Sequence, residues 1–206
     1  MAQDFDKNLK GSAMTSTRIA LALCAALPLA ALFSTGCAST TRRSGDETTQ
    51  RAFMENIAAF CGGKFEGRSV YMAEPQEPLA SGRLVMHVAS CEEDEIRIPL
   101  AANEDRSRTW ILTMTNRGLL LKHDHRDPDG TEHDLHFYGG YAQPGGSAFV
   151  QSFPADDFTK ELIPEASTNV WTIEIRPEAN LFVYSLTRHG QPRFRAVFNL
   201  SERVDE

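Results

Sequence analysis

Residues 62–72, GGKFEGRSVYM, mark the point at which the hydrophobic period of this 206-residue chain changes. Upstream, Phe53, Ile57 and Phe60 fall at i, i+4 and i+7, so one face of a helix is apolar. That pattern predicts a short amphipathic helix from Glu47 to about Phe60, with Asp46 as N-cap and Gly62-Gly63 as the stop. Downstream the period is two. Strands are expected near Phe65–Met72, Leu84–Ser90, Glu95–Ala101, Thr109–Thr115, Leu119–Arg126, Glu132–Tyr141, Ala148–Phe153, Asn169–Arg176, Leu181–Arg188 and Arg193–Leu200. One helical turn, Asp156 to about Ile163, interrupts them before Pro164. Consecutive strands with short turns favour antiparallel neighbours, and closing the sheet removes its exposed edges. The expected fold is therefore mainly β, an antiparallel up-and-down β-barrel with a short N-terminal helix. A β-sandwich is the alternative.

Two resemblances follow from these segments. A helix, then Gly63-Lys64-Phe65-Glu66-Gly67-Arg68, then a barrel-like meander is similar to the lipocalin-type calycins, whose first strand follows a Gly-x-Trp-like start; here Phe65 stands at the Trp position. The segments Asp105-Arg106-Ser107-Arg108-Thr109-Trp110, Lys122-His123-Asp124-His125-Arg126 and Asn169-Val170-Trp171 resemble a family of uncharacterised secreted proteins of Gram-negative bacteria. The first resemblance implies architecture and the second implies export; neither implies an activity.

The segment Leu119–Phe137 holds four of the six histidines and the most chemical potential. Asp127-Pro128-Asp129-Gly130 is a hairpin turn, with Pro presetting φ and Gly accepting the positive φ that closes it. A three-residue loop with a Gly bulge sets His125 opposite His133, His123 opposite Leu135 and Leu121 opposite Phe137. A two-residue loop sets His125 opposite Glu132 and His123 opposite Asp134. The first register gathers Leu119, Leu121, Leu135 and Phe137 on one face, and burial of one face is what selects register. It also places His123, His125 and His133 at the mouth of the barrel. Three imidazoles there are a candidate site for Zn²⁺ or another divalent metal. Against that stand Asp124, Asp127, Asp129, Glu132 and Asp134, which supply ion-pair partners for a solvated hairpin.

At the other end of the chain, Ile19–Phe33 is a 15-residue apolar run after Arg18. It suits a signal-peptide core and falls short of the roughly 20 residues that span a bilayer as a helix. The run ends in Ser34-Thr35-Gly36-Cys37 and resembles a bacterial lipoprotein signal, with Ser34 where such signals usually carry Leu. The resemblance implies cleavage after residue 36, acylation of Cys37, and a protein anchored by lipid at the periplasmic face of the envelope, with the outer membrane as the expected site. A plain secretory signal or a membrane anchor, with Cys37 an ordinary thiol, is the other reading. Met14-Thr15-Ser16-Thr17-Arg18 makes a compact basic lead-in, so Met14 competes with Met1 as the start.

Cleavage there leaves residues 37–206: a polar tether over 37–46, expected to be disordered, and one domain over 47–206. It removes Lys7, Lys10, Arg18, Asp4 and Asp6 and moves the net charge from −7 to −8. So acidic a domain excludes nucleic acid as an expected partner, because phosphate binding needs clustered cations. With Cys24 in the signal and Cys37 acylated, Cys61 and Cys91 remain, and an even pair in an oxidising compartment predicts a disulfide. Two buried free thiols are the alternative.

Motifs for nucleophilic catalysis, phosphate loops and dinucleotide binding are absent from the sequence, which inclines the reading away from an enzyme. As a binding module, the barrel would hold a small apolar ligand among Trp110, Leu112, Met114, Leu121 and Phe137. As a structural protein, the same residues would fill a closed core and an outer face would meet another envelope component. A hydrolytic metal site at His123, His125 and His133 is the enzymatic alternative. Glu104-Asp105-Arg106-Ser107-Arg108 suits an exposed loop or an anion-binding rim. Tyr138-Gly139-Gly140-Tyr141 suits either a lid over the mouth or a bulge and turn.

Overall fold

The computed structural model describes residues 38–75 and 78–205, with side chains from residue 46 onward. The expected signal segment 1–36 and Cys37 lie outside the described residues. Eleven strands alternate with little else: β1 (Lys64–Met72), β2 (Leu84–His87), β3 (Ser90–Cys91), β4 (Glu95–Ala102), β5 (Asp105–Thr115), β6 (Gly118–His125), β7 (Tyr138–Tyr141), β8 (Val150–Pro154), β9 (Val170–Arg176), β10 (Leu181–Arg188) and β11 (Gln191–Asn199). All pair antiparallel in the spatial order β7-β6-β5-β4-β2-β1-β11-β10-β9-β8, with β3 beside β4. Apart from β2, which pairs with β4 past the short β3, and the pair β7 and β8, neighbours in the chain are neighbours in the sheet, and β1 pairs with β11 to join the first and last strands. This is the expected up-and-down barrel, nearly closed.

The remaining seam lies between β7 and β8. No continuous ladder spans it, but Gln143 N–H donates to Ser152 O at 2.9 Å and Asp156 N–H to Gly139 O at 2.9 Å. The close approach requires glycine, since a Cβ on Gly140 would lie 1.8 Å from Pro154 O. A short helix, α2 (Asp157–Leu162), holds the same edge: Gly139 N–H donates to Thr159 Oγ1 at 2.7 Å and that hydroxyl donates to Gly139 O at 2.8 Å. Tyr138–Tyr141 is therefore a strand at the barrel seam rather than a lid.

The N-terminal helix, α1 (Ala38–Ala58), covers the end of the barrel formed by the β5–β6 turn. Phe53, Met54 and Ile57 are buried with the barrel's own apolar residues. The buried Gln50 accepts from Leu119 N–H at 2.8 Å, and Asn56 donates to Ala148 O at 2.8 Å, so the helix is fixed to two sides of the wall. Cys61, just past α1, bonds to Cys91 in β3 with Cα atoms 6.2 Å apart, as the cysteine count predicts.

Three expectations need correction. The segment 38–46, expected to be a disordered tether, forms the first turns of α1. It contains no proline, so a helix anchored at Gln50 and Phe53 propagates backward through it, and Asp46 accepts from Gly145 N–H at 3.4 Å instead of capping. The strand expected over Leu84–Ser90 is split into β2 and β3: Leu84 pairs with Ala102, whereas Cys91 pairs with Ile96, so one extra residue bulges between them. The third correction concerns the histidine hairpin. Near its turn the expected register holds, with Arg126 bridging Glu132 and His133 N–H donating to His125 O at 3.1 Å. Further on, His123 pairs with Tyr138 rather than Leu135, and Leu121 with Gly140 rather than Phe137. The return strand has five residues, 133–137, where β6 has two, so three loop out. Leu135 and Phe137 are consequently exposed, at 40% and 38%, and Phe137 adopts a left-handed φ of 60°. His136 occupies the gap that the loop leaves, with its ring 3.3 Å from Asp124 and 3.5 Å from Glu132.

The disulfide closes a loop with a sequence separation of 30 and ties the helical plug to the wall. Replacing both Cys61 and Cys91 by Ala is expected to lower the unfolding free energy by about 3–4 kcal/mol, measured by urea denaturation at neutral pH. An unchanged midpoint would show that the cross-link contributes nothing.

Candidate functional site

Inward-facing residues alternate along each strand and form stripes from the plugged end to the open end. On β5 the stripe is Met114, Leu112, Trp110 and Arg108; on β6, Leu119, Leu121, His123 and His125. On β10 it is Phe182, Tyr184, Leu186 and Arg188, and β9 adds Ile175, Ile173 and Trp171, with Asn169 next beyond them. The register aligns these stripes, since Trp110 pairs with His123 and Leu186 with Trp171. The interior therefore changes from aliphatic near α1, to aromatic at mid-height, to cationic at the mouth.

The mouth opens into a pocket of about 720 Å³. Its floor is aromatic: Trp110 stacks on Tyr184 with ring centroids 4.4 Å apart, and His123 stacks on Tyr138 at 4.6 Å with Trp171 at 5.1 Å. Among the expected ligand-binding residues, Trp110 lines this pocket. Leu112, Met114 and Leu121 lie deeper, in the closed core, and Phe137 is exposed on the looped-out segment.

His123 is the most constrained polar group of the floor. Its Nδ1 lies 3.0 Å from the carbonyl oxygen of Tyr138, so Nδ1 carries the hydrogen and donates. Its Nε2 then accepts from the Tyr184 hydroxyl at 2.6 Å. Burial pushes the imidazole pKa down to about 3 against the opposing hydrogen bond to Tyr138, and the neighbouring His125 and Lys122 charges add to the depression. Burial likewise drives the Tyr184 hydroxyl well above its ordinary value and Tyr138 up to about 12. Both phenols and the ring are thus neutral at physiological pH. His125, one step nearer the mouth, has Nε2 3.1 Å from the Tyr138 hydroxyl, and burial, with Arg108 and His133 nearby, lowers it to about 4.

These bonds decide the metal question for the described residues. His125 and His133 are near each other, with rings 6.2 Å apart, but both nitrogens of His123 are committed to Tyr138 and Tyr184. No group of three or more His, Cys, Asp or Glu among the described residues is arranged to hold a metal ion. The expected triad His123, His125 and His133 therefore lines one pocket without forming a ligand set.

The rim carries Arg108, Arg126, Arg188 and Arg193 together with Glu74, Asp105 and Asp127. Asp105 pairs with Arg108; burial raises its pKa, but hydrogen bonds from Ser107 and Arg108 outweigh that and hold it at about 2. Arg126 lies 3.0 Å from Asp124, and Arg193 2.9 Å from Glu74. Arg188 Nε donates to the neutral side-chain oxygen of buried Asn169 at 2.8 Å. The segment 105–108, expected as a loop or rim, is the mouth end of β5, and Arg108 alternates inward with Trp110. Tyr138, Tyr184, Asn169 and Arg188 are absent from the sequence-based site. Strand parity puts Tyr184 and Arg188 on one face of β10, but nothing in the sequence says which strands meet around the mouth. No protein-family model matches the chain, and no curated protein matches it.

Chemically the pocket has a floor of aromatic rings packed on one another, their hydroxyl and imidazole groups mutually satisfied, below a rim of guanidinium and carboxylate groups. Because His123 is buried neutral while an unfolded histidine titrates near 6.5, the unfolded state binds the proton more readily below that pH. Its contribution to stability is full above about pH 6.5 and is lost as the pH falls toward about 3. Between pH 7 and pH 5 the loss from His123 alone should be about 2 kcal/mol, read from urea midpoints at the two pH values. A His123→Gln variant, less stable at pH 7, should show a correspondingly flatter dependence; an equal slope would contradict the assignment.

Proposed function

We propose that this chain is an exported, lipid-anchored envelope protein whose barrel binds a small, largely apolar molecule in the mouth pocket. The observation that carries the binding reading is the pocket itself: about 720 Å³, floored by Trp110, Trp171, Tyr138 and Tyr184, and open at the end of the barrel away from the plug. Small-molecule sites span roughly 300–1,000 Å³ and combine apolar walls with a few polar groups that fix orientation. Packed side chains fill the barrel up to the layer of Trp110, Trp171 and Tyr184, so the mouth above that layer is where a ligand gains buried surface.

Export is supported by the Cys61–Cys91 disulfide, a feature of oxidising compartments, together with the apolar run before Cys37. The resemblance to secreted proteins of Gram-negative bacteria points the same way. Acylation of Cys37 would supply the membrane attachment, since one acyl chain binds marginally and stable anchoring needs more than one.

Both tryptophans of the chain line the pocket, so its intrinsic fluorescence reports occupancy. Titration with N-phenyl-1-naphthylamine, an uncharged apolar probe, is expected to quench that emission saturably. Leu186→Asp, which puts a charge on the half-buried wall of the pocket, should weaken binding of this apolar probe by roughly tenfold or more. Absence of saturable binding would overturn the reading. For the anchor, Cys37→Ser should move the protein from the membrane fraction to the soluble periplasmic fraction, and retention in the membrane would refute acylation at that residue.

A further inference from the structure

Resting on the reading of the mouth as a ligand pocket, we infer that its ligand is an anionic amphiphile: an apolar body on the aromatic floor and an oxyanion head, carboxylate or phosphate, held by Arg188. Charge is the first observation. The chain as a whole carries −7, yet the pocket lining holds four arginines against three carboxylates, Glu74, Asp105 and Asp127. Asp124, which pairs with Arg126 from just outside the lining, makes the numbers even, so it is the pairing that decides where positive charge is left at the mouth.

That pairing singles out one arginine. Arg108 is neutralised by Asp105, Arg126 by Asp124 and Arg193 by Glu74. Arg188 has no carboxylate partner among the described residues; its side chain is oriented through Nε by the neutral Asn169. That single bond, made by a buried amide, leaves the two terminal nitrogens of the fork to meet a ligand. A guanidinium fork matches a carboxylate or phosphate through two parallel hydrogen bonds, and such charge-assisted bonds strengthen in a partly desolvated site.

Position supplies the third observation. Arg188 occupies the inward parity of β10, beyond Leu186 and Tyr184, so its charge lies above the aromatic floor along the barrel axis. A ligand with its apolar part against Trp110, Tyr184 and Trp171 therefore presents its outer end to Arg188. Arg108, on the inward parity of β5, faces the same pocket.

Four ligands that share a ten-carbon chain test this: decanoate, decyl phosphate, decanol and decyltrimethylammonium, each displacing N-phenyl-1-naphthylamine from the full chain. At low ionic strength at least one of the two anions is expected to bind about tenfold or more tightly than decanol, with the cation weakest. The two anionic arms tell a carboxylate head from a phosphate head. Arg188→Gln should cut the anion's advantage over decanol to about twofold, and decanol binding that persists in the variant shows that the pocket is intact. The advantage of the anion in the unaltered protein should also shrink on raising the salt. Equal affinity for decanol and both anions, or an advantage that survives Arg188→Gln, overturns the inference while the pocket reading stands. Failure of all four ligands and of the probe overturns the pocket reading, and this inference with it.

Discussion

The Lys122–Asp156 ion pair, 2.6 Å long and largely buried, is the contact on which the shape of the site depends. Lys122 projects from the strand that carries His123, and Asp156 caps α2 by accepting from Thr159 N–H at 2.9 Å. Thr159 in turn satisfies both backbone groups of Gly139, on the edge strand that carries Tyr138. Burial raises the Asp156 pKa, but the hydrogen bonds from Lys122 and Thr159 outweigh it, so the carboxylate stays charged. A meander ends in two edges that expose unpaired backbone groups. Here a cap and an ion pair shut that seam where a continuous ladder does not, and they hold in the barrel wall the strand whose Tyr138 the β6–β7 ladder pairs with His123.

From that closure follows the division of the interior. The lower half is filled by its own leucines, isoleucines and phenylalanines and covered by α1, whose Gln50 takes up the Leu119 amide. The upper half is closed from below by a packed layer of rings, Trp110, Trp171, Tyr184 and His123, and opens above it into the pocket. His123 is held neutral there because burial disfavours its charged form, and Tyr184 and the Tyr138 carbonyl engage both ring nitrogens. A histidine so committed acts as part of the wall, orienting two tyrosines, rather than as a metal ligand. The cationic rim above it is mostly paired with carboxylates, and Arg188 is the exception.

Much of this was readable from residue patterns. The switch from helical to alternating periodicity near Gly63 located the first strand at Phe65–Met72, one residue from its observed start at Lys64. Asp156 and Pro164 bracketed α2. What failed was pairing at a distance. The hairpin after His125 looked regular because Leu135 and Phe137 alternate suitably, but His136 packs beside Asp124 and Glu132 and three residues loop out. Alternation specifies a face only while the ladder continues, and a side chain that replaces backbone pairing ends it.

By itself, then, the sequence determined the class of fold, the helix before it, the disulfide pairing of Cys61 with Cys91 and the neighbourhood of Trp110, His123 and His125. These depend on local period, turn chemistry and cysteine number, which are properties of short segments. Only the tertiary structure decided that Tyr184 completes the hydrogen bonding of His123, that Phe137 leaves the core, and that Arg188 meets Asn169 instead of a carboxylate. Tyr184 and His123 come from strands far apart in the chain, and the other two outcomes turn on where a ladder between neighbouring strands ends. Which residues meet at one height of the barrel is fixed by register and closure, and no local pattern encodes either.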